Sequence, residues 1–194
     1  MKRVKLVVAY DGTNYCGWQV QKNGETIESV LNRAIGELTG EEIHVMGSSR
    51  TDAGVHACGN VAVFDTEARM AADKFSYALN QRLPEDIRIQ DSCEVPADFH
   101  PRFQKTVKTY EYRILNREFP LPAYRFNSHF TYRKLDVERM RQAAAYLIGE
   151  HDFQSFCAAG AQVKTTVRTI YALDVEKQGD LIILRITGNG FLYN

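Results

Sequence analysis

The chain is poor in cysteine and tryptophan and carries no net charge. Its four cysteines, Cys16, Cys58, Cys93 and Cys157, stand far apart in 194 residues. No Cys-x-x-Cys pair occurs, which argues against a zinc knuckle or a dithiol redox motif. Isolated thiols point to a reducing, cytoplasmic setting. Met1-Lys2-Arg3 is positive, but the apolar stretch after it is short and broken by Lys5, so no signal peptide is expected. No segment approaches the roughly 18 apolar residues of a membrane span. His44, His100, His129 and His151 show no i, i+4 ligand spacing, so no metal site is expected. With 24 basic and 24 acidic residues the formal charge is zero, which taken whole argues against nucleic acid.

The distribution of charge argues the other way. Between Pro101 and Arg141 ten Lys or Arg face only four Asp or Glu. Phe103, Tyr110, Tyr112, Phe119, Tyr124, Phe126, Phe130 and Tyr132 are interleaved with them. Basic side chains neutralise phosphates, and aromatic rings stack on exposed bases at about 1–3 kcal/mol each. The same pattern also fits a sheet with rings on its core face and charges on its wet face. Otherwise the composition, 44% hydrophobic and 25% charged, is that of a globular protein able to bury a sizeable core.

Periodicity divides the chain. Arg3 to Tyr10 alternates as a strand, with Val4, Leu6 and Val8 on one face. Thr26 to Leu38 carries a helical stripe with Thr26 as cap and Gly40 as stop. Ile43–Met46, Asn60–Thr66 and Ile87–Gln90 read as strands, and Ala71–Arg82 as a helix ended before Pro84. Ser92 to Pro101, with two prolines and little periodicity, reads as a break. Two domains are therefore expected, 1–104 and 105–194. In the second, Val107–Leu115, Asn127–Tyr132, Val167–Val175 and Leu181–Thr187 read as strands. Asp136 caps a helix with a Met140, Ala143, Ala144, Leu147 stripe ended by Gly149. Strands and helices mix without βαβ alternation. The expected class is α+β: two pseudo-symmetric halves, largely antiparallel mixed sheet, helices on one face.

The most informative run is Ser48-Ser49-Arg50-Thr51-Asp52-Ala53-Gly54-Val55-His56-Ala57. Lying between two expected strands, it reads as a loop held by rigid elements, which is where catalytic groups belong. A carboxylate at Asp52 beside the Arg50 guanidinium is expected to stay ionised and to serve as nucleophile or general base. The spacing alone equally fits a salt-bridged turn, with Gly54 supplying a positive φ.

Further blocks keep fixed order around it: Tyr10-Asp11-Gly12-Thr13 leading to Gly17-Trp18-Gln19, Phe99-His100-Pro101-Arg102, Lys108-Thr109-Tyr110-Glu111-Tyr112, Gly149 to Phe156, Arg168-Thr169-Ile170, and Gly188 to Tyr193. Together with Arg50 to Ala57 they resemble the tRNA pseudouridine synthase A family along the whole chain. The resemblance implies isomerisation of uridine to pseudouridine at positions 38, 39 and 40 of the tRNA anticodon stem-loop, without cofactor or metal. It implies a homodimer, an active-site cleft between the halves, Asp52 as the nucleophile, Arg50 beside it, and Tyr110 as the ring that stacks on the target base.

Each assignment has a physical basis. A target base inside a stacked helix must be extruded, at a few kcal/mol. Arg50 is long enough to fill the vacated space or bond phosphate. A carboxylate needs no partner base to be ionised at neutral pH. Gly54 lets backbone approach RNA closely. Thr51 and His56 of the same block, with Lys105 and Lys108 as phosphate contacts, complete the expected substrate-binding set, His56 being also a candidate for bracing the turn. Trp18 and His151-Asp152 read as structural. Members of the family continue past the Phe-Leu-Tyr block into a Met-Val-Arg segment, so the second domain is expected to be truncated. Two other readings stand beside the enzyme: a non-catalytic tRNA-binding or chaperone module, and a small-molecule enzyme with an acidic site.

Overall fold

The computed structural model describes residues 1–104, 106–158, 163 and 165–192. It forms two compact units, Met1–Gln104 and Lys105–Asn194. Both are α+β, each an antiparallel or mixed sheet with helix packed on one face.

In the first unit the elements are β1 (Lys2–Tyr10), α1 (Ile27–Thr39), β2 (Met46–Gly47), β3 (Ala57–Thr66), α2 (Phe75–Asn80) and β4 (Ile87–Val95). The sheet order is β2-β3-β1-β4, all antiparallel. Alternation in β1 buries Val4, Leu6, Val8 and Tyr10, and the register sets Phe64 and Ala62 of β3 opposite Val4 and Leu6. The α1 stripe of Ile27, Val30, Leu31, Ala34 and Ile35 covers that face together with Phe75 and Leu79 of α2. Thr26 starts α1 in a capping box: its hydroxyl accepts from the Ser29 N–H while the Ser29 hydroxyl accepts from the Thr26 N–H. Gly40, at φ 74°, ends it in the left-handed conformation.

Three expectations change here. Ile43 to Val45 is not ladder-paired; Ile43 and Val45 are buried, but the Val45 N–H donates to the Asn32 side chain, 2.8 Å, so α1 takes the place of a neighbouring strand. The Ala71–Arg82 helix reduces to a 3-10 turn (Ala72–Lys74) followed by α2. Asn80 ends α2 by bonding both main-chain groups of Ile89, at 2.7 and 2.8 Å. The strand at Ile87 runs on through the expected break to Val95, because Ser92 is buried and its hydroxyl accepts from the Ser76 N–H.

The second unit contains β5 (Lys108–Asn116), β6 (His129–Thr131), α3 (Val137–Ala145), β7 (Gly149–Asp152), β8 (Val167–Gln178) and β9 (Leu181–Gly188). The order is β6-β5-β9-β8-β7, antiparallel except for the β5–β6 pair. Asp136 caps α3 as expected. The inward stripe is Val137 and Met140, both half-buried, and Ala144, buried, packed with Ile114, Leu173, Val175, Ile182 and Leu184. Ala143 is exposed and α3 ends at Ala145, because the inward spacing is i, i+3, i+7 from Val137. The opposite face is wet: Glu111 binds both Arg113 and Arg185, and Arg185 reaches Glu176. No helix among the described residues is long and apolar enough to cross a membrane.

The capping box makes Thr26 the test of α1. Thr26→Ala is expected to cost about 1 kcal/mol, read as a lowered urea midpoint with unchanged slope.

Candidate functional site

The segment from Ser48 to His56 joins β2 to β3 and contains no regular structure of its own. Its course is set by hydrogen bonds at both ends. The Ser48 N–H donates to Val61 O at 2.7 Å, and its hydroxyl meets Asn60 Oδ1 at 3.0 Å. Asn60, 7% exposed, also donates to Ser49 O at 3.1 Å. At the apex, Val55 N–H donates to Asp52 O at 3.2 Å, closing a four-residue turn with Gly54 third at φ 78°. A positive φ at that place is the mark of a type II turn. A Cβ on Gly54 would meet nothing within 4 Å, so glycine is needed there for φ rather than for space.

The chain from Tyr10 to Trp18 braces the loop from the side. The Trp18 N–H donates to Thr51 O at 3.0 Å, and the Tyr10 hydroxyl lies 2.8 Å from the Thr51 hydroxyl. Gly54 N–H donates to Tyr15 O at 3.3 Å. Contact is close enough to require two glycines: a Cβ on Gly12 would fall 2.0 Å from Val55 O, and one on Gly17 2.5 Å from Thr51 O. Gly17 also holds φ 84°, disfavoured for other residues. Beneath the loop Trp18, 1% exposed, lies so tightly on Gly47 that a Cβ there would meet the indole at 2.4 Å. Arg102, two residues before the end of the first unit, donates to Gly47 O at 3.1 Å.

The bracing segment is itself tied down. Tyr15 donates to Asp86 at 2.6 Å, and burial, then that bond, pushes its phenol well above the usual range. Asp11 accepts from both the hydroxyl and the N–H of Thr13, which hold its carboxyl below the usual carboxylate range, with His56 adding to the effect. His56 Nδ1 lies 2.9 Å from Asp11 Oδ1 and 3.3 Å from the Gly12 nitrogen. Those two partners want opposite states of Nδ1. The shorter contact involves a carboxylate and is the stronger, so Nδ1 carries the proton.

Asp52 and Arg50 are both exposed at the end of this braced loop. The expected ion pair between them is absent among the described residues. Asp52 is placed by its backbone instead. Thr51 is turned inward, with its hydroxyl and carbonyl both engaged by the protein. His56 braces the loop through Asp11. The outcome for an ionisable group is a carboxylate in solvent on an immobilised turn, which can attack an electrophile or take a proton without first breaking a salt bridge.

In the second unit, Tyr110 is half-buried on β5 with the Phe191 ring edge-on to it, centroids 4.9 Å apart at 85°. Lys108 precedes it by two residues and so shares its face. Burial lowers the Lys108 ammonium pKa, and the neighbouring Arg168 lowers it further. Lys105 lies outside the described residues. None of the eight aromatics between Phe103 and Tyr132 is buried, and Phe103, Tyr112, Phe119, Phe126 and Tyr132 are exposed. Trp18 reads as structural from sequence and the segments of Tyr10, Gly17 and Arg102 stand out there, but their contacts with the loop and the parts played by Gly47 and Asn60 do not. The plainest trace of the brace was the single Trp in a glycine-punctuated loop.

Two outcomes follow from this geometry. Gly17→Ala meets both an unfavourable φ and the Thr51 carbonyl, so a loss of roughly 2–5 kcal/mol in urea unfolding is expected. Gly40→Ala, at φ 74° in open space, is expected to lose only about 1 kcal/mol; equal losses would show that the loop gives way. Because the Asp11 carboxyl is held low by Thr13, its contribution is present above the usual aspartate pKa and lost as pH falls through the depressed one. Thr13→Ala is therefore expected to lower stability at pH 7, with the difference from wild type closing as pH falls below about 4.

Comparison with known proteins agrees with the order of these elements. The family model described as tRNA pseudouridine synthase matches residues 6–104 and 143–194. A tRNA pseudouridine synthase A of Acetivibrio thermocellus is 48% identical over 194 residues, covering 100% of this chain and 80% of that protein. One of Thermoanaerobacter sp. (strain X514) is 49% identical over 195 residues, again 100% and 80%. One of Citrifermentans bemidjiense is 47% identical over 194 residues, 100% and 78%. With both stretches of the family model matched and nearly half of all positions shared with such relatives, the chain belongs to the tRNA pseudouridine synthase family.

Proposed function

We propose that this isomerase converts uridine to pseudouridine at positions 38, 39 and 40 of the tRNA anticodon stem-loop, with Asp52 as its nucleophile. The observation that carries this reading is the Asp52 carboxylate, exposed on a turn whose backbone is held at Thr51, Gly54 and Val55. The reaction cleaves the N1–C1′ bond, turns the uracil and forms C5–C1′. The C5 proton leaves to solvent and N1 regains one, so atoms balance with no added reactant. A fixed, solvent-exposed carboxylate suits a sugar or ring electrophile that arrives preformed in the substrate.

The remaining groups take the roles their chemistry allows. The target base is extruded, and Arg50, exposed and without a carboxylate partner among the described residues, fills its place or bonds a neighbouring phosphate. The half-buried Tyr110 ring takes the face of the uracil, held edge-on by Phe191. Gly54 gives the backbone close approach to RNA, Thr51 and His56 serve the substrate by holding the loop beneath it, and Lys105 and Lys108 meet phosphates. The reading includes a homodimer and the cytoplasm, the latter supported by four cysteines that are all free thiols.

The test is release of tritium from C5-labelled uridine in tRNA. Asp52→Ala is expected to fall below about one-thousandth of the wild-type rate while still retaining tRNA in a gel shift. Tyr110→Phe is expected to lose less than Tyr110→Ala, which drops by roughly tenfold to a hundredfold with the loss of stacking. Wild-type release from Asp52→Ala would remove the nucleophile. Binding of tRNA by the wild type with no pseudouridine formed would make the chain a binding module.

A further inference from the structure

Lys108 and Arg168 stand at the same end of the second unit's sheet, near enough for the Arg168 charge to act on Lys108. Lys108 opens β5 and pairs across the ladder with Gly188 of β9; Arg168 lies on β8. The Gly188 position brings the three strands together, since it also pairs with Ile170, two residues from Arg168. A Cβ on Gly188 would lie 2.9 Å from Thr169 O and 3.6 Å from the Phe191 ring, and one on Gly190 3.6 Å from Arg168 Nε. Both glycines thus leave Arg168 and Phe191 packed near backbone. Phe191 in turn touches Tyr110 edge-on, so both cations lie at the end of the sheet that carries this ring.

This arrangement is unfavourable in the free protein. Lys108 is half-buried, and burial and the Arg168 charge both work against its ammonium. Among the described residues neither cation has a carboxylate partner, although Arg113, Arg139, Arg141 and Arg185 of the same unit all do. The Arg168 Nη1 is directed at the carbonyls of Thr165 and Val167, at 2.9 and 2.7 Å, which fixes the guanidinium without neutralising it. Two like charges held together, one of them desolvated, form a seat for an anion. Arg brings a planar fork and Lys a point charge, the pairing that suits a phosphate oxygen cluster.

We propose that Lys108 and Arg168 together clamp one backbone phosphodiester of the RNA, beside the nucleotide whose base lies on Tyr110. The proposal rests on the tRNA-modifying reading above and adds Arg168 and the shared phosphate to it. A clamp of this kind sets the register of the strand but reads no sequence.

The test compares full-length wild type with Lys108→Met, Arg168→Met and the double variant, each binding an unmodified transcribed tRNA across a salt series. Each single variant is expected to bind about threefold to tenfold more weakly, by the same factor for tRNAs of different sequence. The double variant is expected to lower the magnitude of the salt slope by about one, with a loss smaller than the product of the singles because one phosphate is shared. Lys108→Arg restores binding. Thermal unfolding of the free protein at low salt separates this from a structural role: removing either cation relieves repulsion, so both single variants melt at or above the wild-type temperature. Arg33→Met, which breaks an ion pair with Glu25 in the first unit, leaves the slope unchanged. A wild-type slope in the double variant, with tRNA still bound and modified, overturns the clamp alone. Lower melting in both single variants, with the slope unchanged, assigns them to structure and overturns it too. Absence of salt-dependent tRNA binding by wild type overturns the clamp and the function it rests on.

Discussion

The bond from the Trp18 N–H to the carbonyl of Thr51 joins two stretches that are each irregular and far apart in sequence. With the Tyr10–Thr51 and Gly54–Tyr15 bonds it ties the two courses together. The loop carrying Asp52 has only its ends in the sheet, and the chain from Asp11 to Gly17 has only a strand before it and a helix after it. Packed together they satisfy one another. Thr51 turns its polar groups toward Tyr10 and Trp18, while Gly12 and Gly17 allow backbone to meet backbone where a methyl group would collide. The side chain of the next residue, Asp52, is left as the free end of a rigid turn. The positioning required for covalent chemistry is thereby achieved through main-chain contacts, which hold geometry more closely than long side chains do.

This division of labour explains why the expected Arg50–Asp52 pair does not form. A salt bridge would place the carboxylate, but it would also occupy it. Here placement and reactivity are separated: the backbone places, and the carboxylate is left with solvent as its only competitor. The carboxylates that are engaged, Asp11 by His56 and Asp86 by the Tyr15 hydroxyl, hold the brace.

Much of the fold was legible because local rules and burial agree. The alternation of Val4, Leu6 and Val8 and the Thr26 cap need only their own neighbours, and both are seen. Errors came where a distant side chain replaced a backbone partner. Asn32 took the Val45 N–H and cut the expected strand back to Met46, Asn80 clamped Ile89 and shortened α2, and the α3 stripe followed Val137 rather than Ala143. In the site, the loop was visible from its residue types: an acid, a cation and a glycine between strands are informative without neighbours. The brace was not, because its evidence is contact. Nothing in Gly17 itself says that a carbonyl from residue 51 will sit where its side chain would be.

Trp18 is the sole tryptophan of the chain, and it lies sealed beneath the loop, against Gly47, with its indole Nε1 lacking a hydrogen-bond partner among the described residues. An indole in dry surroundings emits at shorter wavelength than one in water, and here a single chromophore reports on a single place. The tryptophan emission of this chain is therefore a gauge of the floor under Asp52. It shifts to the red when that floor admits water, even while the rest of the sheet stays intact.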